Sequence, residues 1–181
     1  MDDQELRPAI FLDRDGTVIE DEDYLADPAK MRVYGFSAEG LEILREKGYL
    51  LIVITNQSGV GKGLLTEGDV HAVHAALQHE LRDFIDAFYY CPHRPDASCR
   101  CRKPGLGLIE QAIADFPIDV ANSWFVGDKK IDIETGFNAG MGTALVLTGY
   151  GAAHVKDLER MPDVVADNFL EAAREIASRT D

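Results

Sequence analysis

The sequence has no long apolar run, few basic residues and few cysteines. No apolar stretch approaches the roughly 18 residues that a membrane-spanning helix needs, which argues against a transmembrane protein. Lysine and arginine number 18 against 32 aspartates and glutamates, so the formal net charge is −14 at pH 7. A charge of this sign repels phosphate backbones and anionic lipid surfaces. We therefore expect neither nucleic-acid binding nor membrane binding.

The overall composition is that of an ordinary globular protein. The chain has 181 residues, of which 46% are hydrophobic and 28% charged, and this predicts one domain over residues 1–181. The first residues are acidic, the reverse of a secretory signal peptide, so a cytoplasmic protein is expected, as a monomer. An anionic ligand would need a local positive site or a bound cation.

Short apolar segments alternate with amphipathic segments from one end of the sequence to the other. Residues 50–54 are apolar throughout, as is typical of a strand buried on both faces of a parallel sheet. The alternation predicts an α/β fold with a doubly wound parallel sheet. The predicted strands are 9–12, 50–54, 87–90, 123–126, 143–147 and an edge strand at 164–166, followed by a last helix at 168–178.

Caps and apolar stripes predict the longer helices. Ser37 is predicted to cap the first helix, and the longest helix is predicted to begin near Asp69. On that helix His71, His74 and His79 are expected to face solvent and are not predicted to be metal ligands. The apolar stripe of the same helix comprises Val70, Val73, Leu77, Leu81 and Phe84.

Carboxylates follow two of the predicted strands. Ligands of doubly wound sheets bind beyond the carboxyl ends of the strands, where Asp13, Asp15 and Asp128 fall. Asp and Gly are also common in turns, so the Asp13–Gly16 segment taken alone could be a turn. Together, however, the three carboxylates are suitable ligands for Mg²⁺. Of the pair Asp13 and Asp15, one can attack phosphorus while the other transfers protons.

Polar and cationic residues accompany these carboxylates. Thr55 and Asn56 supply a hydroxyl and an amide at the end of the second strand, and Lys103 supplies a positive charge just before Pro104 and a helix. Phosphoryl transfer needs such groups for the equatorial oxygens of the phosphoryl group. The pattern therefore favours phosphate-ester chemistry.

The three cysteines lie within eleven residues of one another, close to a histidine. Cys91, His93, Cys99 and Cys101 have the ligand types and number of a closed tetrahedral zinc site. The alternative is three buried thiols beside a chance histidine, which the polar neighbours of these cysteines disfavour. We expect a structural Zn²⁺ that orders the 92–103 loop.

These segments resemble the motifs of the haloacid dehalogenase superfamily of phosphatases. They occur in the order of that superfamily, over roughly residues 9–150. The resemblance implies the Rossmann-like fold of the superfamily and a hydrolytic reaction. The matching segments are Asp13-Arg14-Asp15-Gly16-Thr17, Thr55-Asn56, Lys103-Pro104 and Gly127-Asp128 with Asp132.

The resemblance implies that Asp13 is the nucleophile that forms an aspartyl-phosphate. By the same resemblance Asp15 protonates the leaving oxygen and then activates water. The resemblance further implies that Mg²⁺ is bound by the side chains of Asp13 and Asp128 and by the main-chain carbonyl of Asp15. It also implies that Thr55 and Lys103 hold the transferred phosphoryl group.

The residues around the zinc motif are similar to those of one family in the superfamily, the D-glycero-D-manno-heptose 1,7-bisphosphate 7-phosphatases. The shared segments are 55–59, 89–93, 99–104 and 143–151. This resemblance implies a phosphorylated sugar as the substrate, with lipopolysaccharide or another surface glycan as the end product of the pathway. Only five residues separate His93 from Cys99, and a loop this short also resembles the histidinol-phosphate phosphatases. Ser58 favours the heptose enzymes, and both substrates stay open.

The spacing of the motifs leaves no room for an inserted cap domain. Substrate selection then falls to short loops, namely 20–24, 57–63 and the zinc loop 92–103. The acidic 20–24 segment either binds sugar hydroxyls or is a solvated charge run, and 57–63 is expected to be flexible. Asp132 is expected to orient Lys103 or a metal-bound water. The expected substrate-binding residues are Asp21, Tyr24, Asn56, Gln57, Ser58, Arg102 and Lys129.

Two other classes of protein remain as alternatives. One is a phosphatase that processes nucleic-acid ends, which the net charge of −14 disfavours. The other is a zinc-binding interaction module without activity, which the complete set of Asp13, Asp15, Lys103 and Asp128 disfavours.

Overall fold

In a computed structural model, which describes residues 5–180, the chain folds around a six-stranded sheet. Every pair of neighbouring strands is parallel. The predicted doubly wound α/β architecture is confirmed. The strands are β1 (Ala9–Leu12), β2 (Leu50–Asn56), β3 (Ala87–Cys91), β4 (Trp124–Gly127), β5 (Gly142–Val146) and β6 (Val164–Ala166).

Helices connect the strands and cover both faces of the sheet. Short 3₁₀ turns lie at Pro28–Lys30, Val120–Asn122 and Val155–Asp157. The α-helices are α1 (Ser37–Glu46), α2 (Ser58–Gly61), α3 (Glu67–Glu80), α4 (Gly107–Asp115), α5 (Lys130–Ala139), α6 (Gly151–His154) and α7 (Phe169–Ser178).

The core has two layers, one on each face of the sheet. Alternate side chains of β1 enter opposite layers: Ile10 and Leu12 pack with α1, α3 and α7, whereas Ala9 and Phe11 pack with α4. All four are fully buried. A central parallel strand is therefore apolar at every position, which is why β1 and β2 read as unbroken apolar runs.

The strand order β3-β2-β1-β4-β5-β6 places the two halves of the chain on opposite sides of the β1–β4 boundary. From β1 the chain winds outward through β2 to β3, and from β4 it winds the other way through β5 to β6. The connections after β1 and β4 therefore diverge and leave a crevice between them at the carboxyl edge, where ligands of such sheets bind.

Two predicted helix starts differ from those in the structure. Ser37 is the first residue of α1, and its hydroxyl donates to the carbonyl of Val18 at 2.8 Å instead of capping the helix. Thr66 caps α3, and Asp69 is its partner in a reciprocal capping box. Asp69 marked the right helix but lies inside its first turn. Phe84 falls beyond the end of α3.

His74 does not face solvent, contrary to the sequence-based expectation. Its side chain is 6% exposed and stacks on the ring of Phe88, with centroids 4.7 Å apart. His71 and His79 on the same helix are exposed, as predicted. The buried face of α3 includes His74 as well as the apolar stripe, because the imidazole stacks on the ring of Phe88 in β3.

The connections that could have held a cap domain are short, as predicted. Between β1 and α1 lie one 3₁₀ turn and isolated bridges, and between β2 and α3 lies α2. The 57–63 segment, expected to be flexible, contains the helical turn α2. Within residues 5–180 no helix is both long enough and apolar enough to cross a membrane.

Candidate active site

Asp13 and Asp128 leave adjacent strands at the crevice. Leu12 pairs with Val126 in the sheet, and the ladder continues one residue further because the Asp13 amide donates to the Val126 carbonyl at 2.9 Å. One carboxylate oxygen from each of Asp13, Asp128 and, from the first turn of α5, Asp132 lies within 4.8 Å of the other two. All three are buried.

Lys103 reaches this cluster from the end of the cysteine-containing loop. Its ammonium contacts Asp13 Oδ1 at 2.9 Å and Asp132 Oδ1 at 2.7 Å, and it donates to the Ile54 carbonyl at 2.9 Å. Burial alone would lower the pKa of Lys103, but the two carboxylates raise it. The side chain is therefore a fixed positive charge that holds Asp13 in place.

Asn56 fixes the backbone of Lys103. Its Oδ1 accepts from the Lys103 amide at 3.1 Å, and its Nδ2 approaches the Lys103 carbonyl at 3.4 Å. Both polar atoms of the predicted substrate-binding amide thus contact the protein. The sequence placed Asn56 at the right strand end, but nothing local to it indicated a partner 47 residues away.

Asp15 is held by Arg14 and Gln57. The Arg14 guanidinium donates to both carboxylate oxygens of Asp15, at 3.1 and 3.0 Å. The Gln57 amide nitrogen donates to Asp15 Oδ2 at 3.0 Å and to Thr55 Oγ1 at 2.9 Å. Because Thr55 accepts that bond, its hydroxyl proton remains available to a ligand in the crevice.

The protonation of the two central carboxylates differs. Burial would raise the pKa of Asp13, but the ammonium groups of Lys103 and Lys129 bring it below its ordinary value. Burial, with the charge of Asp13 added, raises the pKa of Asp128 to about 8. Asp13 is therefore ionised at neutral pH, as a nucleophile must be. The positive charge around Asp128 is too small to offset its burial and keep its pKa at the ordinary value.

Lys129 lies against the three oxygens that the superfamily resemblance assigns to Mg²⁺. Its Nζ is 3.6 Å from Asp13 Oδ2, 3.6 Å from Asp128 Oδ1 and 3.4 Å from the main-chain oxygen of Asp15. It also pairs with Asp21 at 3.2 Å. These oxygens thus converge on a common cation, as a metal site requires.

The charges of the site suit a divalent cation. Oδ1 of Asp128 is buried and has no hydrogen-bond partner among residues 5–180. Hard cations such as Mg²⁺ take a few carboxylate and carbonyl oxygens and leave other positions for ligands. Counted with every group ionised, five carboxylates face three cationic side chains, a formal excess of two negative charges: Asp13, Asp15, Asp21, Asp128 and Asp132 against Arg14, Lys103 and Lys129.

Two glycines enclose the Asp128 carboxylate. Gly16 and Gly149 both have positive φ, 82° and 54°, which glycine adopts without strain. A methyl group at either position would overlap the Asp128 side chain. The backbone therefore closes directly against this carboxylate from two sides.

A cleft of about 200 Å³ opens beside Asp15. Arg102 is not on its wall, and Nη1 of Arg102 is buried without a hydrogen-bond partner among residues 5–180. Tyr24 and Lys62 join two of the predicted substrate loops, with Lys62 donating to the Tyr24 hydroxyl at 2.7 Å. The cleft is lined by six of the seven predicted substrate-binding residues: Asp21, Tyr24, Asn56, Gln57, Ser58 and Lys129.

The four predicted zinc ligands converge outside the crevice. Cys91 Sγ lies 3.1 Å from Cys101 Sγ, 3.7 Å from Cys99 Sγ and 3.5 Å from His93 Nδ1. All four ligand atoms lie within 4.8 Å of one another. Tetrahedral zinc with thiolate ligands at about 2.3 Å separates neighbouring sulfurs by about 3.8 Å, so the cluster has nearly the dimensions of a zinc site.

The crevice therefore combines an ionised carboxylate, a second carboxylate held by Arg14 and Gln57, a hydroxyl with a free proton and a buried lysine. On a doubly wound sheet, this set defines a hydrolase of the haloacid dehalogenase type that acts on phosphoric monoesters.

Comparisons with known proteins agree with this class. The family model described as HAD-hydrolase-like matches residues 100–172. D-glycero-D-manno-heptose-1,7-bisphosphate 7-phosphatase of Chlorobaculum tepidum is 37% identical over 180 residues, 90% of each chain. D-glycero-beta-D-manno-heptose-1,7-bisphosphate 7-phosphatase of Haemophilus ducreyi is 35% identical over 175 residues, 91% of this chain and 96% of that protein.

A solved structure resembles the chain over nearly its whole length. It is D,D-heptose 1,7-bisphosphate phosphatase from B. bronchiseptica, complexed with magnesium and phosphate, with a TM-score of 0.87 and 28% identity. The match covers 95% of this chain and 99% of that one. The chain belongs to the heptose-1,7-bisphosphate 7-phosphatase family of haloacid dehalogenase-like hydrolases.

Proposed function

We propose that the protein is a Mg²⁺-dependent phosphatase that hydrolyses D-glycero-D-manno-heptose 1,7-bisphosphate at the 7-phosphate through an aspartyl-phosphate. The observation that carries the proposal is the Asp13 carboxylate, which the Lys103 ammonium contacts at 2.9 Å at the carboxyl edge of the sheet. Its relatives of similar length carry the name of this activity.

In the proposed reaction Asp13 attacks phosphorus, and Asp15 donates a proton to the leaving sugar oxygen. Lys103 and Thr55 bind the equatorial oxygens of the phosphoryl group, Lys103 by exchanging a contact with Asp13 for one with phosphate. Asp15, now a carboxylate held by Arg14 and Gln57, then takes a proton from the water that hydrolyses the aspartyl-phosphate.

Mg²⁺ would be held by the side chains of Asp13 and Asp128 and by the main-chain oxygen of Asp15. When bound, it supplies positive charge to the phosphoryl oxygens. Asp132 is not proposed as a ligand, because its Oδ1 pairs with Lys103 and its Oδ2 accepts from the Lys129 amide at 3.0 Å. Lys129 would then turn from the carboxylates towards substrate phosphate.

The Cys91, His93, Cys99 and Cys101 cluster is proposed to bind one structural Zn²⁺. The zinc loop 92–103 contacts the predicted substrate loop 57–63, because the Gly61 amide donates to the Pro92 carbonyl at 2.8 Å. Zinc at this cluster would fix the loop that ends at Arg102 and Lys103.

We predict about one zinc per chain in protein purified without chelator. Replacing Cys99 and Cys101 by alanine should remove the zinc and lower both the melting temperature and kcat, because the loop that carries Lys103 loses its anchor. Elemental analysis measures the zinc content, calorimetry the melting temperature and steady-state assays kcat. Ser98→Ala, in the same loop, is the matched control. Zinc-free protein with full activity in the double variant would contradict the assignment.

The substrate assignment is tested by comparing phosphate release from three esters. We expect heptose 1,7-bisphosphate to have the highest kcat/KM, histidinol phosphate a much lower one, and a 3′-phosphorylated oligonucleotide none. ³¹P NMR of the product identifies which phosphate leaves. Preference for histidinol phosphate would establish the alternative that the short zinc loop left open.

Arg102→Ala is predicted to weaken use of the bisphosphate selectively. In the structure Arg102 lies off the wall of the cleft with Nη1 buried and unpaired among residues 5–180, so in the proposal its side chain turns towards the phosphate that does not react, and a guanidinium binds phosphate through paired hydrogen bonds. The loss in kcat/KM should correspond to about 1.5–3 kcal/mol, the value of a charge-assisted hydrogen bond. Hydrolysis of p-nitrophenyl phosphate, which has no second anion, should change far less.

Arg100→Ala is the matched control for Arg102→Ala, because Arg100 lies two residues away in an exposed ion pair with Glu110. Equal losses of Arg102→Ala on both substrates would show that Arg102 serves the fold or the chemistry.

We also propose that the protein is a cytoplasmic monomer and that residues 1–181 form a single domain.

A further inference from the structure

Two buried nitrogens beside the active site lack hydrogen-bond partners. Arg14 is 1% exposed and His74 is 6% exposed, and among residues 5–180 neither Nη1 of Arg14 nor Nε2 of His74 has a partner. Buried polar atoms are nearly always paired in native proteins, with protein or with water. A pair of unsatisfied nitrogens therefore calls for an explanation.

The register of the sheet defines the layer that His74 enters, and Arg14 is close to His74. Leu12, Val53 and Phe88 form one row across β1, β2 and β3, and all three pack in the layer that contains α3. Arg14, two residues after Leu12, is buried in the bend that follows β1, and its charge acts on His74. His74 enters it from α3 and stacks on Phe88.

The two nitrogens are complementary. A guanidinium nitrogen only donates, and the unprotonated nitrogen of a neutral imidazole accepts. Burial, followed by the positive charge of nearby Arg14, lowers the pKa of His74 to about 3, so the ring is neutral at physiological pH. One water molecule between them would accept from Nη1 and donate to Nε2.

Arg14 is already the main support of Asp15. Its Nε and Nη2 donate to the two carboxylate oxygens, which leaves Nη1 as the free arm of a planar group. The Arg14 guanidinium is planar, and its two hydrogen bonds align the Asp15 carboxylate with that plane. A group that anchors Nη1 therefore also fixes the orientation of the Asp15 carboxylate.

We infer that His74 is a positioning residue for Asp15 and acts through Arg14, with its Nε2 accepting the hydrogen bond of Nη1 through one buried water. The inference rests on the proposed function in taking Asp15 as the acid that protonates the leaving oxygen. Without the anchor the guanidinium can tilt, and Asp15 no longer points steadily at that oxygen.

The test compares His74→Leu and His74→Gln with the wild type. The glutamine side-chain oxygen can accept near the position of Nε2, whereas leucine only fills space. His71→Leu, at an exposed position one turn earlier on the same helix, is the matched control. For each variant kcat/KM is measured with glycerol 3-phosphate, whose alkoxide needs a proton to leave, and with p-nitrophenyl phosphate, whose phenolate leaves without one.

We expect His74→Leu to lower kcat/KM about tenfold or more with glycerol 3-phosphate and no more than about twofold with p-nitrophenyl phosphate. His74→Gln should recover kcat/KM for glycerol 3-phosphate to within about threefold of the wild type, and His71→Leu should leave both values unchanged. Equal losses on the two esters, or a glutamine variant no better than leucine, would overturn the inference.

Partial unfolding lowers both rates together and cannot imitate the expected difference between esters. Melting temperatures of the variants measure any loss of packing against Phe88 separately. Neither ester is the proposed sugar bisphosphate. A wrong substrate assignment would therefore appear in the three-ester comparison and leave this one intact.

Discussion

Asp13→Asn is expected to abolish phosphate release while leaving the fold intact. An amide cannot form the aspartyl-phosphate, and the loss of a covalent nucleophile lowers kcat by about a thousandfold or more. The fold should survive because Lys103 keeps Asp132 at 2.7 Å and the Ile54 carbonyl at 2.9 Å. Steady-state assays with Mg²⁺ and thermal unfolding measure the two effects.

Asp157→Asn is the control for this substitution, since Asp157 is exposed in a 3₁₀ turn outside the crevice. Its kcat should equal that of the wild type. An Asp13→Asn enzyme that retains more than about a hundredth of the wild-type rate would show that Asp13 is not the nucleophile.

Lys103→Met is expected to have the largest effect on stability and also to stop turnover. The side chain is fully enclosed between two buried carboxylates, and removing one partner of a buried ion pair destabilises a protein by about 3–5 kcal/mol. The expected result is a loss of that size in the free energy of unfolding by urea at pH 7. Turnover is lost because Asp13 and the phosphoryl group both lose their cation.

The deficit of Lys103→Met should shrink at lower pH. Burial already raises the pKa of Asp132, and loss of the ammonium raises it further in the folded state, above its value in the unfolded chain. A carboxylate with a raised folded-state pKa weakens the folded state as pH rises, so protonation on going from pH 7 to about 5 recovers stability. A deficit independent of pH would mean that packing, and not charge, is lost.

The control for Lys103→Met is Lys130→Met at the start of α5. Lys130 pairs at the surface with Glu134 and Glu159, and exposed pairs of this kind contribute little. Its unfolding curve should stay close to that of the wild type at both pH values.

The positions of the site residues were predictable because parallel strands end at one edge of the sheet. Asp13, Thr55 and Asp128 each follow an apolar run, and apolar runs of that length mark buried strands. The zinc ligands were predictable for a similar reason, since Cys91 ends β3 and the other three follow within a short loop. In both cases the informative pattern is local.

The contacts of these residues were not predictable, because they join distant parts of the chain. Asn56 and Gln57 were both expected to bind substrate, yet Asn56 contacts the Lys103 backbone and Gln57 joins Asp15 to Thr55. His74 looked like a polar residue on a solvated helix face until β3 supplied Phe88. A polar side chain shows its chemistry in the sequence, but its partner is determined by packing.

The closure of the backbone around Asp128 has a consequence for the entropy of ligand binding. Because Gly16 and Gly149 fill the space beside its carboxylate, Asp128 has little rotational freedom before any ligand arrives. Freezing a mobile side chain opposes binding, and here that loss is already incurred during folding. Alanine at Gly149 would push the carboxylate out of its one orientation and should weaken cation binding without removing a single ligand.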